Sequence, residues 1–288
     1  MSFDICVKAP AKVNIGLRVL QKQANGYHNI ESVFQTIGIF DELHIRKINK
    51  KECVVHCAQM PLPLENTLTK TYKAFCANVA VDFGVDIWLD KVLPAGGGLG
   101  GGSSDGAALL KVLAGFAQVP LTPVLADAVA SRVGSDVFFF LHSGFFQNGH
   151  GCALVSGRGE VVEPITPRTD LTFLLVFPGI HSSTKDAYEL VDKAHESGQL
   201  VECPDFSELK SLYYDSLKKW TFANSFTPAI VNQYPVVGKA LQDVRKFGAD
   251  WAEMSGSGAT VFGVFESVPA AERAFELCQK KWKCVLAH

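Results

Sequence analysis

The apolar positions fall into two kinds of spacing. Toward the N-terminus they form short dense runs: residues 4–8 and 13–20, rich in Val, Ile and Leu, predict two strands separated by a break at Ala9-Pro10. Asn25-Gly26 marks a turn before an apolar stretch at 30–39, and 43–48, 53–57 and 85–89 predict further short strands. Leu68, Tyr72, Phe75 and Val79 instead recur at helical spacing and predict a helix over 66–79. Helices are also expected over 103–116, where Ser103, Ser104 and Asp105 are cap-type residues, and over 122–133. Farther on, the pattern predicts a strand at 171–177, helices at 184–195, 207–217 and 236–247, a strand at 260–265 and a closing helix at 270–282. Strands and helices mixed throughout predict an α+β protein of two lobes. The division is expected in the Gly- and charge-rich run 148–160, giving units of 1–155 and 156–288.

Composition narrows the function classes. Forty-eight per cent hydrophobic and 19% charged residues in 288 positions are enough for a substantial core. Lys plus Arg (27) nearly balances Asp plus Glu (29), and the net charge of −2 argues against nucleic acid as the main partner. The longest apolar runs, 137–141 and 171–177, are too short to span a bilayer, so no membrane partner is expected. No charged leader or apolar signal core precedes the first strand, which predicts a cytoplasmic protein; the choice between monomer and homodimer is left open. The eight cysteines, Cys53/Cys57 and Cys278/Cys284 being the close pairs, read as free thiols in a reducing compartment rather than a zinc site.

The densest chemical signal is Pro94-Ala95-Gly96-Gly97-Gly98-Leu99-Gly100-Gly101-Gly102-Ser103-Ser104, with six glycines in seven residues. Glycine loses the most entropy on folding, so such a run implies backbone that other residues cannot form. A phosphate chain gives the usual reason: bare amides turn inward on its oxygens, and the following helix aims its positive end at the same place. Ser103 and Ser104 add hydroxyls for phosphate oxygens or a magnesium shell. The Walker pattern is absent, and the formal match Gly96-x-Gly98-x-x-Gly101 lacks the acidic residue that a dinucleotide site needs about 20 residues later.

Two further segments point toward phosphoryl transfer. Pro10-Ala11-Lys12-Val13-Asn14 sets a cation at the start of a strand, and Gly134-Ser135-Asp136 sets a carboxylate in a turn leading into the apolar 137–141. Transfer to an alcohol needs a carboxylate to take the hydroxyl proton and a cation to favour the developing charge. Spacing alone does not show that Lys12 and Asp136 meet. A third small-residue cluster, Met254-Ser255-Gly256-Ser257-Gly258-Ala259-Thr260, fits either a turn or a close backbone approach to a ligand.

Taken together, these segments resemble the three motifs of the GHMP small-molecule kinases. With Gly26-Tyr27-His28 and the doubled glycine triplet, the pattern is similar to the branch that phosphorylates a cytidine diphosphate-linked methylerythritol, over residues 7–260. The resemblance implies a ribosomal protein S5 domain 2-like N-terminal lobe and an α/β C-terminal lobe. It implies transfer of the ATP γ-phosphoryl to the methylerythritol 2-hydroxyl in non-mevalonate isoprenoid precursor biosynthesis, with Mg2+ entering alongside ATP. By the same resemblance Asp136 is the catalytic aspartate and Lys12 its partner. Asn14 helps hold the substrate, Tyr27 and His28 recognise cytidine, Tyr188 is a second stacking aromatic, and Thr184 is a polar contact. Asn66 and Lys91 fall on the adenine side, beside the ATP-binding run Pro94 to Ser104; the metal ligand is left open. The sequence departs from the family pattern at Asn25, Gly106, Phe138 and Asn224-Ser225, none of which carries a catalytic role.

Overall fold

The first two strands are far longer than their apolar runs suggest. In the computed structural model, which describes residues 3–94, 96–180, 182–198 and 201–287, β1 (Ile5–Lys22) continues through Ala9-Pro10 without a break. Likewise β2 (His28–Ile48) unites the two strands expected at 30–39 and 43–48. Proline cannot donate to a ladder and is tolerated where pairing is irregular. The β1–β2 register shifts between Pro10 and Ala11, which lets both strands run on. At the hairpin tip Gly26 takes φ +84° and Asn25 Oδ1 accepts from the Tyr27 amide at 3.0 Å, so Asn25 keeps the turn chemistry.

Around this ribbon the first sheet adds β3 (Cys53–His56), β4 (Gly84–Asp90), β5 (Cys152–Ser156) and β6 (Val161–Pro164). Its order is β3-β4-β2-β5-β6, with β1 also paired to β2. Pairing in this sheet therefore continues past residue 155 to Pro164. The second sheet, β10-β7-β9-β8, is antiparallel and comprises β7 (Thr172–Phe177), β8 (Trp251–Met254), β9 (Val261–Phe265) and β10 (Lys283–Ala287). β10 was not legible in the apolar pattern. The closing helix stops at Cys278, and the last residues turn back to pair with β7.

The helices are α1 (Thr67–Cys76), α2 (Gly101–Phe116), α3 (Pro123–Val133), α4 (Ser135–His142), α5 (Phe145–Asn148), α6 (Thr184–Glu196), α7 (Leu209–Tyr214), α8 (Thr227–Gln233), α9 (Pro235–Lys246) and α10 (Val268–Cys278). α7 occupies only part of the helix expected over 207–217. The first sheet buries Leu43, Ile45 and Ile87 against Phe75, Leu109 and Leu113 of α1 and α2. Val13, Ile15 and Ile37 pack in one cluster with Phe173, Leu175 and Phe262 of the second sheet. The two sheets thus share apolar contacts through β1 and β2 and hold their facing loops in fixed register. No described helix is long and apolar enough to cross a membrane.

Candidate active site

The glycine run folds as a loop packed against the third small-residue cluster. Gly96, Gly98 and Gly100 take φ of +69°, +76° and +70°, a region open to glycine at little strain. A Cβ on Gly98 would lie 2.0 Å from the Ser255 carbonyl oxygen, so two backbones meet where no side chain fits. Ser255 Oγ donates to Gly98 O at 2.9 Å and ties the loop down. The segment 254–260 is therefore part of the site wall, not a remote turn.

α2 starts at Gly101, two residues earlier than the apolar pattern predicts, and Gly100 in the left-handed region is its N-cap. Ser103, Ser104 and Asp105 consequently lie inside the first turns instead of capping them. The helix has no side-chain cap, which leaves its leading amides for a ligand. Ser103 lines the adjoining cavity, whereas Ser104 is fully buried and its hydroxyl has no partner among the described residues. Ala95 lies outside the described residues.

Lys12 and Asp136 meet. Lys12 Nζ lies 3.2 Å from Asp136 Oδ2, donates to Asn14 Oδ1 at 2.6 Å and to Gly98 O at 3.3 Å, and sits 4.6 Å from the Phe34 ring centroid. Lys12 is 3% exposed, so its ammonium depends on these partners in place of water. The apolar run 137–141 is helical, and Asp136 stands in the first turn of α4, where the helix dipole favours a negative charge. Lys12, Asn14, Asp136, Ser103 and the glycine loop face one cavity of about 300 Å³.

Two further cavities adjoin it. The first, about 380 Å³, is lined by Asn66, Thr67, Lys91, Gly96, Gly102 and Asp105. Asn66 is the N-cap of α1, accepting from Thr69 N at 3.1 Å in a capping box, so its carbonyl is committed to the helix. Lys91 Nζ bridges Asp41 Oδ2 at 2.5 Å and Asp105 Oδ2 at 2.7 Å. Two carboxylates share one ammonium, and Asp105 Oδ1 is buried without a partner among the described residues. Burial first, then the charge of Asp41, outweighs the pull of Lys91 and pushes the Asp105 carboxyl up to about 7.

The second, about 440 Å³, is lined by Lys22, Tyr27, His28, Arg158, Tyr188 and Asp192, and shares Thr184 and Tyr188 with the central cavity. Tyr27 is 52% exposed, and the Arg158 guanidinium lies 3.9 Å from its ring centroid. His28 stacks on Tyr188 with centroids 4.8 Å apart and planes at 24°, while its Nε2 lies 2.6 Å from Asp192 Oδ1. Tyr188 also meets Phe226 edge-on at 5.0 Å. Burial, with a smaller contribution from the charge of Asp136, pushes its phenol up to about 12, so it stays neutral at physiological pH. Thr184 Oγ1 and Ser257 Oγ lie 3.1 Å apart and close the floor.

Apart from the buried Ser104, the described residues singled out from the sequence thus line three adjoining cavities. Those missed are Asp41, Asp105, Arg158 and Asp192. Asp192 carried a readable signal: Thr184, Tyr188 and Asp192 are spaced by four and share one face of α6. The other three carried none, because their partners are distant in sequence.

A left-handed glycine loop at a helix N-terminus, facing a buried lysine paired with a half-buried aspartate, defines a small-molecule kinase architecture. Family models agree: the GHMP kinases N terminal domain matches residues 66–144 and the GHMP kinases C terminal matches residues 200–284. The chain belongs to the GHMP kinases. The 4-diphosphocytidyl-2-C-methyl-D-erythritol kinase of Treponema pallidum is 38% identical over 97% of this chain and 96% of its own length. That of Chlorobium phaeobacteroides is 35% identical over 94% and 92%. A crystal structure of 4-(cytidine 5'-diphospho)-2C-methyl-D-erythritol kinase superposes with a TM-score of 0.73 at 26% identity, over 98% of both chains. A homoserine kinase from Cytophaga hutchinsonii superposes with a TM-score of 0.70 at 17% identity, over 98% of this chain and 93% of its own, a likeness of fold alone. Within the GHMP kinases, the chain belongs to the 4-diphosphocytidyl-2-C-methyl-D-erythritol kinases.

Proposed function

We propose that this chain transfers the γ-phosphoryl group of ATP to the 2-hydroxyl of 4-diphosphocytidyl-2-C-methyl-D-erythritol, a step of non-mevalonate isoprenoid precursor biosynthesis. The observation that carries this reading is the Lys12–Asp136 pair at 3.2 Å, seated between the glycine loop and the cavity of Tyr27, His28 and Tyr188. ATP lays its phosphates along Gly96 to Ser103, with its base in the cavity of Asn66 and Lys91. The acceptor enters from the other side, its cytosine held near Tyr27, His28 and Tyr188 and its polyol near Asn14 and Thr184. Tyr27 is half exposed, and its aromatic ring, with the Arg158 guanidinium over it, suits stacking on a pyrimidine.

Asp136 takes the hydroxyl proton as the oxygen attacks the γ-phosphorus in line. Lys12 binds Asp136, Asn14 and the loop carbonyl of Gly98 at once, so one ammonium aligns base, substrate holder and phosphate loop. Mg2+ would enter with ATP: Ser103 lines the central cavity and would offer a hydroxyl oxygen of the kind a hard cation takes. When bound, the ion offsets charge on the phosphates.

Single-turnover kinetics tests the assigned base. Asp136→Asn is expected to slow the chemical step by roughly two to four orders of magnitude while ATP affinity changes little. Full activity in this variant would remove Asp136 from its role. A panel of alcohol acceptors scored by ADP release tests the substrate, and turnover of homoserine or mevalonate without the cytidyl compound would overturn the reading.

A further inference from the structure

His28 stands in the proposed pyrimidine cavity with one ring nitrogen already committed. Its Nε2 lies 2.6 Å from Asp192 Oδ1, and the second carboxylate oxygen of Asp192 accepts from Lys22 Nζ at 2.9 Å. Burial works against the charge on Asp192, but hydrogen bonds from Lys22 and His28 hold its carboxyl below the usual carboxylate range. An ionised carboxylate only accepts, so the nitrogen facing it must carry the proton. The imidazole plane is fixed as well, because one face lies against the Tyr188 ring at 4.8 Å and the side chain is 5% exposed. Nδ1 has no protein partner among the described residues.

We propose that Asp192 is a positioning residue for substrate selection: it holds the His28 proton on Nε2, so the ring meets the pyrimidine with Nδ1 as a hydrogen-bond acceptor. An acceptor at that point matches the exocyclic amine of cytosine and opposes the carbonyl that uracil carries in its place. The geometry explains why Lys22, β1 and α6 converge on one carboxylate outside the phosphate site. Lys22 aims Asp192, Asp192 sets the tautomer of His28, and Tyr188 keeps the ring in plane. The inference rests on the cytidine reading above and deepens it, since that reading requires a pyrimidine but not how its amine is told from a carbonyl.

The test uses the full chain labelled with nitrogen-15 in histidine, together with kinetics on the cytidine diphosphate-linked substrate and its uridine counterpart. The wild type is expected to show His28 with protonated Nε2 and bare Nδ1, and to favour the cytidine compound in kcat/KM. Asp192→Asn, which can present either an amide oxygen or an amide nitrogen to the ring, should give a mixture of tautomers. Its cytidine-over-uridine preference should fall about tenfold, the worth of roughly one hydrogen bond. A wild-type ring protonated on Nδ1 overturns the proposal with no variant needed, which covers failure of the variant to fold. A variant that keeps both the tautomer and the preference overturns it too. A wild type with the expected tautomer that turns over neither compound overturns the cytidine reading, and with it the selecting role. The spectrum thus separates the two failures.

Discussion

Lys12 spends a fully buried ammonium on three acceptors from three parts of the chain: Asn14 on its own strand, Gly98 in the glycine loop and Asp136 on α4. A buried charge is tolerated when each of its bonds is met, and here the need for partners sets where the proposed base and the loop stand. Asp105 is the opposite case, a buried carboxyl with one oxygen unmet and Lys91 shared with Asp41. Its folded-state pKa of about 7 lies above the ordinary 3.8, so the folded protein holds this proton more tightly than the unfolded chain. Stability from this group is therefore present below about pH 4 and is lost as the pH rises toward 7. Asp105→Asn removes that titration. Thermal melts from pH 4 to 8 should show the variant gaining on the wild type as pH rises; a constant difference across the series would exclude Asp105 as the titrating group.

At the scale of elements, α1 and α6 hold their site residues in different ways. Asn66 lines a cavity but its carbonyl caps α1, and Thr69 returns the bond to the Asn66 amide at 3.0 Å. Asn66→Ala is expected to lower stability by about 1 kcal/mol in urea denaturation. If Asn66 also meets the nucleobase, KM for ATP will rise in the same variant; a rise with no stability change would show that the cap matters less than the contact. Periodicity exposes helices of this kind well, since a repeat of 3.6 survives whatever the helix packs against. It revealed α1, α3, α6 and α9 nearly to their ends. It misjudged β1, where a proline was read as a stop although a register shift against the partner strand absorbs it, and it split β2 at the polar Asp41-Glu42. It also missed β10, a short strand whose place depends on β7 more than a hundred residues earlier.

At the scale of the molecule, the two sheets meet where the glycine loop crosses the 254–260 turn. Asn224, 1% exposed, donates to Met254 O and Gly256 O, each at 2.8 Å, and fixes that turn against β1. Gly98→Ala would force a Cβ to 2.0 Å from Ser255 O at φ +76°. The left-handed backbone alone costs about 1–2 kcal/mol, and relief of the clash must part the two halves of the groove. A fall in melting temperature together with a large rise in KM for ATP is expected. Gly26→Ala provides the control for stability: φ is +84°, but a Cβ there meets nothing within 4 Å, so the melting temperature should fall by the backbone strain alone. Equal effects from the two would mean that the close approach at Gly98 carries no load.

The amino-acid sequence on its own determined the glycine loop and the mixed α+β class, while resemblance to a kinase family singled out the lysine, the aspartate, and the aromatic and histidine beside the hairpin turn. The first two follow from local chemistry: glycine where backbone must turn left-handed, and apolar spacing where an element must bury a face. Only the tertiary structure decided that Lys12 and Asp136 lie within an ion pair's reach, that Ser255 clamps the loop, and that Asp41 and Asp105 compete for Lys91. The same holds for Asp192 reaching His28 across 164 positions of chain. These are pairings between distant segments, and their energies depend on burial and distance, which exist only once two sheets have closed on a shared core.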